Sequence, residues 1–434
     1  MRTGARLAGS RQRMRGYRAG APTRPEESAL NHRIRFRRAC LLLVALALPA
    51  CSLARFPAPA AEQSEQAQIL GIPNARFWID RGSSGLLREI QDAAAREAVT
   101  LPPEQLLNRP PANYLAISGG GDNGAFGAGL LVGWTASGRR PEFQVVTGVS
   151  AGALTAPFAF LGPAYDAQLK EVFTAVAPPD ILLLRRFAGA LLFGDSLADT
   201  GPLFRLIERH VNEDMMHAIA AEYRRGRLLL IGTTNLDMQR PVVWNIGAIA
   251  ASGHPEAIGL FRKILLASAS IPGAFPPVFT DVEIDGQRYQ EMHVDGGAAS
   301  QMFLYPASLD LSYSALDGVI RRDRTAYLIR NARMDPEWAT TTRHLFAISR
   351  RSIATSIYFS GLNDVVRIFL TSQRDGVRFK LAYIDGAFGQ DRPEAFDTEY
   401  MRALFDHGYQ RAREGNPWVD APPGFTPAAL PSRR

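Results

Sequence analysis

The chain has 434 residues, 46% of them hydrophobic, and a formal net charge of +7. That length and apolar content suit one large α/β domain with insertions, or two ordinary domains, and exclude a disordered or fibrous chain. Residues 1–50 hold eleven Arg against two Glu, a balance of +9, so the remainder carries −2 and the basic pI gives no ground for nucleic-acid binding by the folded part.

In chain order, a leader comes first. Arg33, Arg35, Arg37 and Arg38 make a positive n-region, followed by the apolar run Ala39 to Leu48, which is too short to span a bilayer stably. Residues 1–50 read as a signal peptide with a long basic n-region, and Met14 is an alternative start. The run ends in Leu48-Pro49-Ala50-Cys51, which resembles the lipobox of bacterial lipoproteins. That resemblance implies that Cys51 is lipidated and becomes the mature N-terminus, which would tether the protein to a membrane surface of the bacterial cell envelope. Ser52 after the cysteine resembles outer-membrane sorting in enteric lipoproteins, which implies a domain facing the periplasm. Residues 51–68 read as the lipidated Cys and a tether, since Pro57 to Gln68 is rich in Ala, Pro, Gln and Glu. No cysteine follows Cys51, which excludes disulfides, thiolate chemistry and a cysteine metal site in the mature domain.

Residues 69–112 are expected to form an N-terminal helical extension, with a helix over Leu86 to Ala98. The α/β pattern then begins. Tyr114 to Ile117 is a buried-strand run stopped by Ser118-Gly119-Gly120-Gly121, and Ala125 to Thr135 is an apolar helix. Phe143 to Thr147 is a second strand, followed by a helix ending at Leu161. Further strands are expected at 227–232, 242–245, 327–330 and 379–384, and helices at 256–268, 338–358 and 395–414. Strand and helix alternate, which predicts an α/β fold with a mostly parallel central sheet and helices on both faces. The α/β domain is bounded at 113–334, with residues 335–434 as a helical or mixed extension packed on it. Ile181 to Phe193, apolar with Arg185 and Arg186, reads as a lid or lipid-facing flap, or as a buried helix. The five histidines at 210, 217, 254, 344 and 407 have no metal-ligand spacing, so no metal is expected.

Three motifs carry chemistry. Gly148-Val149-Ser150-Ala151-Gly152 lies between a strand and a helix, the layout of a nucleophile elbow, although a Gly-Ser turn capping a helix has the same form. Gly119-Gly120-Gly121-Asp122-Asn123-Gly124 opens a helix after a strand, where converging N–H groups can bind a phosphate or an oxyanion. Its G-x-G-x-x-G spacing also fits a dinucleotide site, but the second strand ends in the serine turn rather than in an acidic residue, so no cofactor is expected. Finally, Asp295-Gly296-Gly297 follows Met292-His293-Val294. Either Asp295 or His293 can serve as the base for Ser150, and spacing alone leaves that choice open.

In that order, with Ala267-Ser268-Ala269-Ser270-Ile271-Pro272-Gly273 and Pro276-Pro277 upstream of the aspartate, these motifs resemble the patatin-like phospholipases over roughly residues 113–300. The resemblance implies a three-layer fold and hydrolysis of lipid or phospholipid acyl esters by a Ser–Asp dyad without histidine. It makes Ser150 the nucleophile and Asp295 the base. It makes the glycine loop, Gly119, Gly120, Gly121 and Gly124, the oxyanion hole. Asn123 departs from the family, which often has Arg there. The alternatives are a membrane-tethered lipid-binding protein without turnover and a His-dependent serine esterase. The sequence carries no signal for oligomeric state.

Overall fold

The computed structural model describes residues 55–80, 82, 84–181, 183–184, 198–312 and 322–427. Cys51 and the leader lie outside the described residues, as does the 181–193 segment except for Ile181, Leu183 and Leu184.

Nine strands among the described residues form the central sheet: β1 (Arg76–Trp78), β2 (Ala112–Ile117), β3 (Val145–Val149), β4 (Leu228–Asn235), β5 (Arg240–Asn245), β6 (Val278–Ile284), β7 (Gln287–Asp295), β8 (Arg324–Arg333) and β9 (Arg378–Ile384). Their order is β1-β5-β4-β3-β2-β8-β9, with β7 also pairing on β4 and β6 on β7. Pairing is parallel from β4 through β3, β2 and β8 to β9. It is antiparallel at β1–β5, β5–β4, β4–β7 and β7–β6. The helices used below are α1 (Ser84–Thr100), α2 (Gly124–Ala136), α3 (Ala151–Leu161), α4 (Asp166–Thr174), α5 (Gly201–His210), α6 (Glu213–Arg224), α7 (Ile246–Ala251), α8 (Ala257–Ser268), α9 (Leu345–Arg374) and α10 (Thr398–Glu414).

Strand alternation sends side chains to two faces, and both faces are covered. On β4, Leu229 and Ile231 enter the main core under α2, α3 and α8. Leu228 and Leu230 point the other way, against Leu86 and Ala93 of α1. On β8, Ile329 joins the main core while Ala326 and Leu328 meet Val365, Ile368 and Phe369 of α9. The mostly parallel three-layer arrangement expected from the alternation of strands and helices is therefore the one observed. The small residues of α2 let another backbone approach: a Cβ at Gly129 or Gly133 would overlap the carbonyls of Phe405 or Tyr409 on α10.

Several boundaries differ from the sequence expectation. Residues 57–68, expected as a tether, lie along the β6–β7 hairpin. Gln290 N–H donates to the Pro57 carbonyl at 3.0 Å, and Gln68 and Glu283 exchange backbone hydrogen bonds of 2.9 and 3.1 Å. Ser64, Ala67 and Ile69 are buried there; the Ala/Pro/Gln composition masked these anchors. The flanking extensions also enter the sheet, as β1 and β9. The late helix starts at Leu345, not Trp338, and runs on to Arg374. Its second half is fixed by Val365, Ile368 and Phe369, an i, i+3, i+4 stripe buried on β8 and β9. Val278 to Ile284, where no strand is expected from the sequence, is a strand whose later residues alternate buried and exposed as an antiparallel strand should.

Candidate active site

The register of β4 brings the two chemical motifs together. One edge of β4 pairs with β3 as far as Gly232, which faces Val149. The same edge then pairs with β7, starting with Thr233 facing Asp295. Ser150, the residue after Val149, and Asp295 thus meet at neighbouring positions along β4, although 145 residues separate them in sequence. Ser150 Oγ donates to Asp295 Oδ2 at 2.6 Å.

Ser150 has φ 55° and ψ −124°, a conformation non-glycine residues rarely adopt. Its surroundings hold it there. A Cβ at Gly148 would overlap the Gly152 carbonyl, and one at Gly152 would overlap that of Ile117. The turn is closed so tightly that only glycine fits on either side of the serine. Ser150 N–H donates to Ser268 Oγ at 2.9 Å, and Ser268 Oγ donates in turn to the Gly232 carbonyl at 2.7 Å. The chain just past α8 also holds the other partner, because Asp295 N–H donates to the Ser270 carbonyl at 2.9 Å. This gives the 267–273 segment a physical role: it clamps both ends of the Ser–Asp pair.

Asp295 is buried, and burial pushes its carboxyl up to about 6. The Ser150 hydroxyl and the Gly297 N–H, which donates to Oδ1 at 2.7 Å, oppose that rise. A carboxylate of this basicity is better matched to taking a proton at neutral pH than an ordinary aspartate.

His293 is not at the serine. It is fully buried, with Nδ1 3.0 Å from Thr233 Oγ1 and Nε2 3.1 Å from Glu291 Oε2. Trp244 Nε1 donates to the same Thr233 hydroxyl at 2.8 Å. Burial lowers the imidazole's pKa, against the carboxylate of Glu291. Burial also disfavours ionised Glu291, but the Arg76 guanidinium and His293 hold its carboxyl at about 2. This histidine is therefore part of a structural polar cluster. His293→Ala should lower unfolding stability by about 2–4 kcal/mol, through lost hydrogen bonds and a cavity. Turnover of the folded fraction should stay within about threefold, because no reacting group is touched. Urea melts paired with ester assays check this; a stable but inactive variant would point back to the histidine as base.

The glycine loop contributes unequally. Gly119 N–H is taken by the Gln301 carbonyl at 3.0 Å, and Gly124 N–H by the first helical turn. Those two expected oxyanion donors are committed elsewhere. Among the described hydrogen bonds none takes the N–H of Gly120 or Gly121, which leaves these two, of the four glycines, as available donors. Asn331, fully buried, fixes the loop: its Nδ2 donates to the Ser118 carbonyl, and its Oδ1 accepts from Gly127 N–H at 3.0 Å. Asn123 Oδ1 accepts from Tyr400 at 2.7 Å, and Arg392 brings a cation to the neighbouring Asp122 at 3.0 Å. Sequence reading missed Asn331, Gln301 and Arg392, which lie downstream and carry no local pattern of their own.

Beside Ser150 opens an apolar pocket of about 510 Å³, counted to its mouth. Gly121, Ala151, Leu154, Phe173, Leu206, Ile271 and Phe275 are among the residues that line it. A larger cavity, about 1050 Å³, lies under α1 at the opposite ends of the strands, away from the serine. No cluster of three or more potential metal ligands occurs among the described residues.

Residues 115–308 match the family model described as patatin-like phospholipase. No curated protein matches the sequence. Among solved structures, VipD from Legionella pneumophila is similar at 11% identity and a TM-score of 0.34, over 69% of this chain and 66% of that one. Human GIVD cytosolic phospholipase A2 is similar at 11% identity and a TM-score of 0.31, over 78% and 64%. The chain thus spans just under two thirds of the length of those structures, and likenesses this distant add nothing to the assignment.

Proposed function

We propose that this chain, whose residues 115–308 match the patatin-like phospholipase family model, is a serine acyl hydrolase that cleaves carboxylic esters of lipids, of the phospholipase A or lysophospholipase type. The observation that carries the reading is the 2.6 Å hydrogen bond from a strained, elbow-held Ser150 to a buried carboxylate. The apolar pocket at the same serine supports an acyl chain as the group recognised.

The steps follow from that geometry. Asp295 accepts the Ser150 proton as Oγ attacks the ester carbonyl carbon. The carbonyl π electrons move to oxygen, where the Gly120 and Gly121 N–H groups stabilise the charge; losing one such donor typically costs about 10²–10³ in rate. The intermediate collapses, the alcohol leaves with the proton from Asp295, and an acyl-serine remains. Water, giving a proton to the same carboxylate, then attacks the acyl-serine carbonyl; the acyl–Oγ bond breaks, Asp295 returns that proton to Ser150 Oγ, and the fatty acid leaves. The leader motif ending at Cys51 supports placing this reaction at an envelope membrane.

The test is labelling by a fluorescent alkyl phosphonate together with fatty-acid release from phospholipid and lysophospholipid. Wild type is expected to label and to turn over, and Ser150→Ala to do neither. Full labelling and turnover in Ser150→Ala would sink the reading. Copurified lipid without acyl release from any ester would favour a binding protein instead.

A further inference from the structure

Among the described residues, the first half of α9 packs little: Arg351 donates to the Glu337 carbonyl and Tyr358 to the Met334 carbonyl, while its apolar side chains stay exposed. Arg324, at the start of β8, donates to the Asp375 carbonyl, and Arg330, near its end, donates to the Tyr358 carbonyl. The helix segment 358–375 therefore spans the strand. Residues 345–357 project past the strand ends, the edge of the sheet where Ser150 sits. No residue whose burial is described from 345 to 360 is buried, and Gly361 is the first that is. Residues 345–360 amount to about 24 Å of helix.

This overhang carries the wrong residues for water. Trp338 just before it is 89% exposed, Leu345 72% and Ile353 61%, and Ile348, Ile357 and Phe359 are also exposed. Its charge has one sign. From residue 338 to 363 there is no Asp or Glu, while Arg343, Arg350 and Arg351 are present. At about 100° per residue, Arg350 and Arg351 fall on opposite flanks of the apolar surface. A basic, apolar helix face with an exposed tryptophan beside it matches the interfacial zone of an anionic bilayer. No helix among the described residues is long and apolar enough to cross a membrane, so this one suits lying on it.

The surface is also joined to the chemistry. A Cβ at Gly361 would sit 3.4 Å from Gln301 Cβ, and one at Gly119 would sit 3.0 Å from Gln301 Oε1 and 3.1 Å from Ser150 Cβ. One side chain, Gln301, thus separates the root of the overhang from the nucleophile.

We propose that residues 338–359 are a bilayer-docking element, which seats the mouth of the Ser150 site on a lipid surface carrying anionic headgroups. The substrate part of this statement rests on the hydrolase reading above; the docking part does not.

The test uses the full chain with Cys40→Ser, Cys51→Ser and Ser150→Ala, and a single new thiol from Ile353→Cys labelled with NBD. Vesicles of equimolar phosphatidylcholine and phosphatidylglycerol should shift the NBD emission to the blue. Pure phosphatidylcholine vesicles or high salt should weaken the shift. Adding Ile348→Glu and Ile357→Glu should cut vesicle-dependent signal about tenfold or more. The same pair in the active chain should depress hydrolysis of vesicle lipid relative to a water-soluble short-chain ester. An NBD probe that ignores vesicles overturns the proposal. So does a blue shift without vesicles that grows with protein concentration, which would give the face to a second copy. Because the probe needs no turnover, docking can fail while the hydrolase stands, and the reverse.

Discussion

Asp295→Asn should slow ester turnover about a thousandfold and at the same time make the protein harder to unfold. The first effect is loss of the base, a contribution of about 10²–10⁴ in positioned proton transfer. The second follows from the shifted carboxyl. Its folded value of about 6 lies above the ordinary value of 3.8, because burial disfavours the charge. The native state thus binds this proton more tightly than the unfolded chain does. Stability from this group is full below pH 3.8 and declines as pH rises through about 6. At neutral pH the buried charge costs up to about 3 kcal/mol, which the neutral amide removes. Melting curves of the two proteins should nearly coincide in acid and separate near neutrality, with Asp295→Asn the more stable. In the wild type, kcat/KM should rise with pH and reach half its plateau near pH 6, the carboxyl's own value. A profile flat down to pH 4, or a less stable Asp295→Asn at neutral pH, would contradict the assignment.

Ser150→Ala should lower turnover further, by about 10⁴–10⁶, since the acyl-enzyme route disappears altogether. The fold should survive it. The Gly148, Gly152 and Ser268 contacts act on the backbone, and alanine keeps the N–H that Ser268 receives. Removing the hydroxyl also removes a hydrogen bond that lowers the Asp295 carboxyl, so the variant's carboxyl should titrate still higher by NMR. Combined with Asp295→Asn, the double variant should be scarcely slower than Ser150→Ala alone, because the two residues act as one unit. Additive losses would mean that Asp295 serves something other than this serine.

What the sequence made legible was the part of the site encoded in contiguous motifs. Gly-x-Ser-x-Gly after an apolar run announces its own backbone, since the glycines are required by the turn itself. Asp295 was readable as one of two candidates. Period-2 spacing puts His293 on the same side of an extended strand, and only tertiary partners, Thr233 and Glu291, take the imidazole away from the serine. The oxyanion donors were overcounted for a similar reason. Whether a loop N–H is open depends on acceptors elsewhere, here the Gln301 carbonyl for Gly119. In the fold, strands with continuous apolar runs such as 228–231 stood out. The antiparallel hairpin of β6 and β7 did not, because half of its residues face water and read as polar loop. The overhanging helix was misplaced by several residues, since its exposed apolar side chains break the usual polar-outside pattern.

The shared edge of β4 also bears on how this protein can be changed. The chain between Ser150 and Asp295 never has to measure their separation, because β4 does so through its pairings with Val149 and Asp295. Outside the 267–273 clamp, loops in between are expected to tolerate changes of length with the reacting atoms still set by β4. Substrate choice and chemistry are thereby inherited separately. The tolerance ends at the strand itself: a slip of one residue between β4 and β7 would carry the carboxylate about 3.3 Å along the edge and turn it to the other face of the sheet.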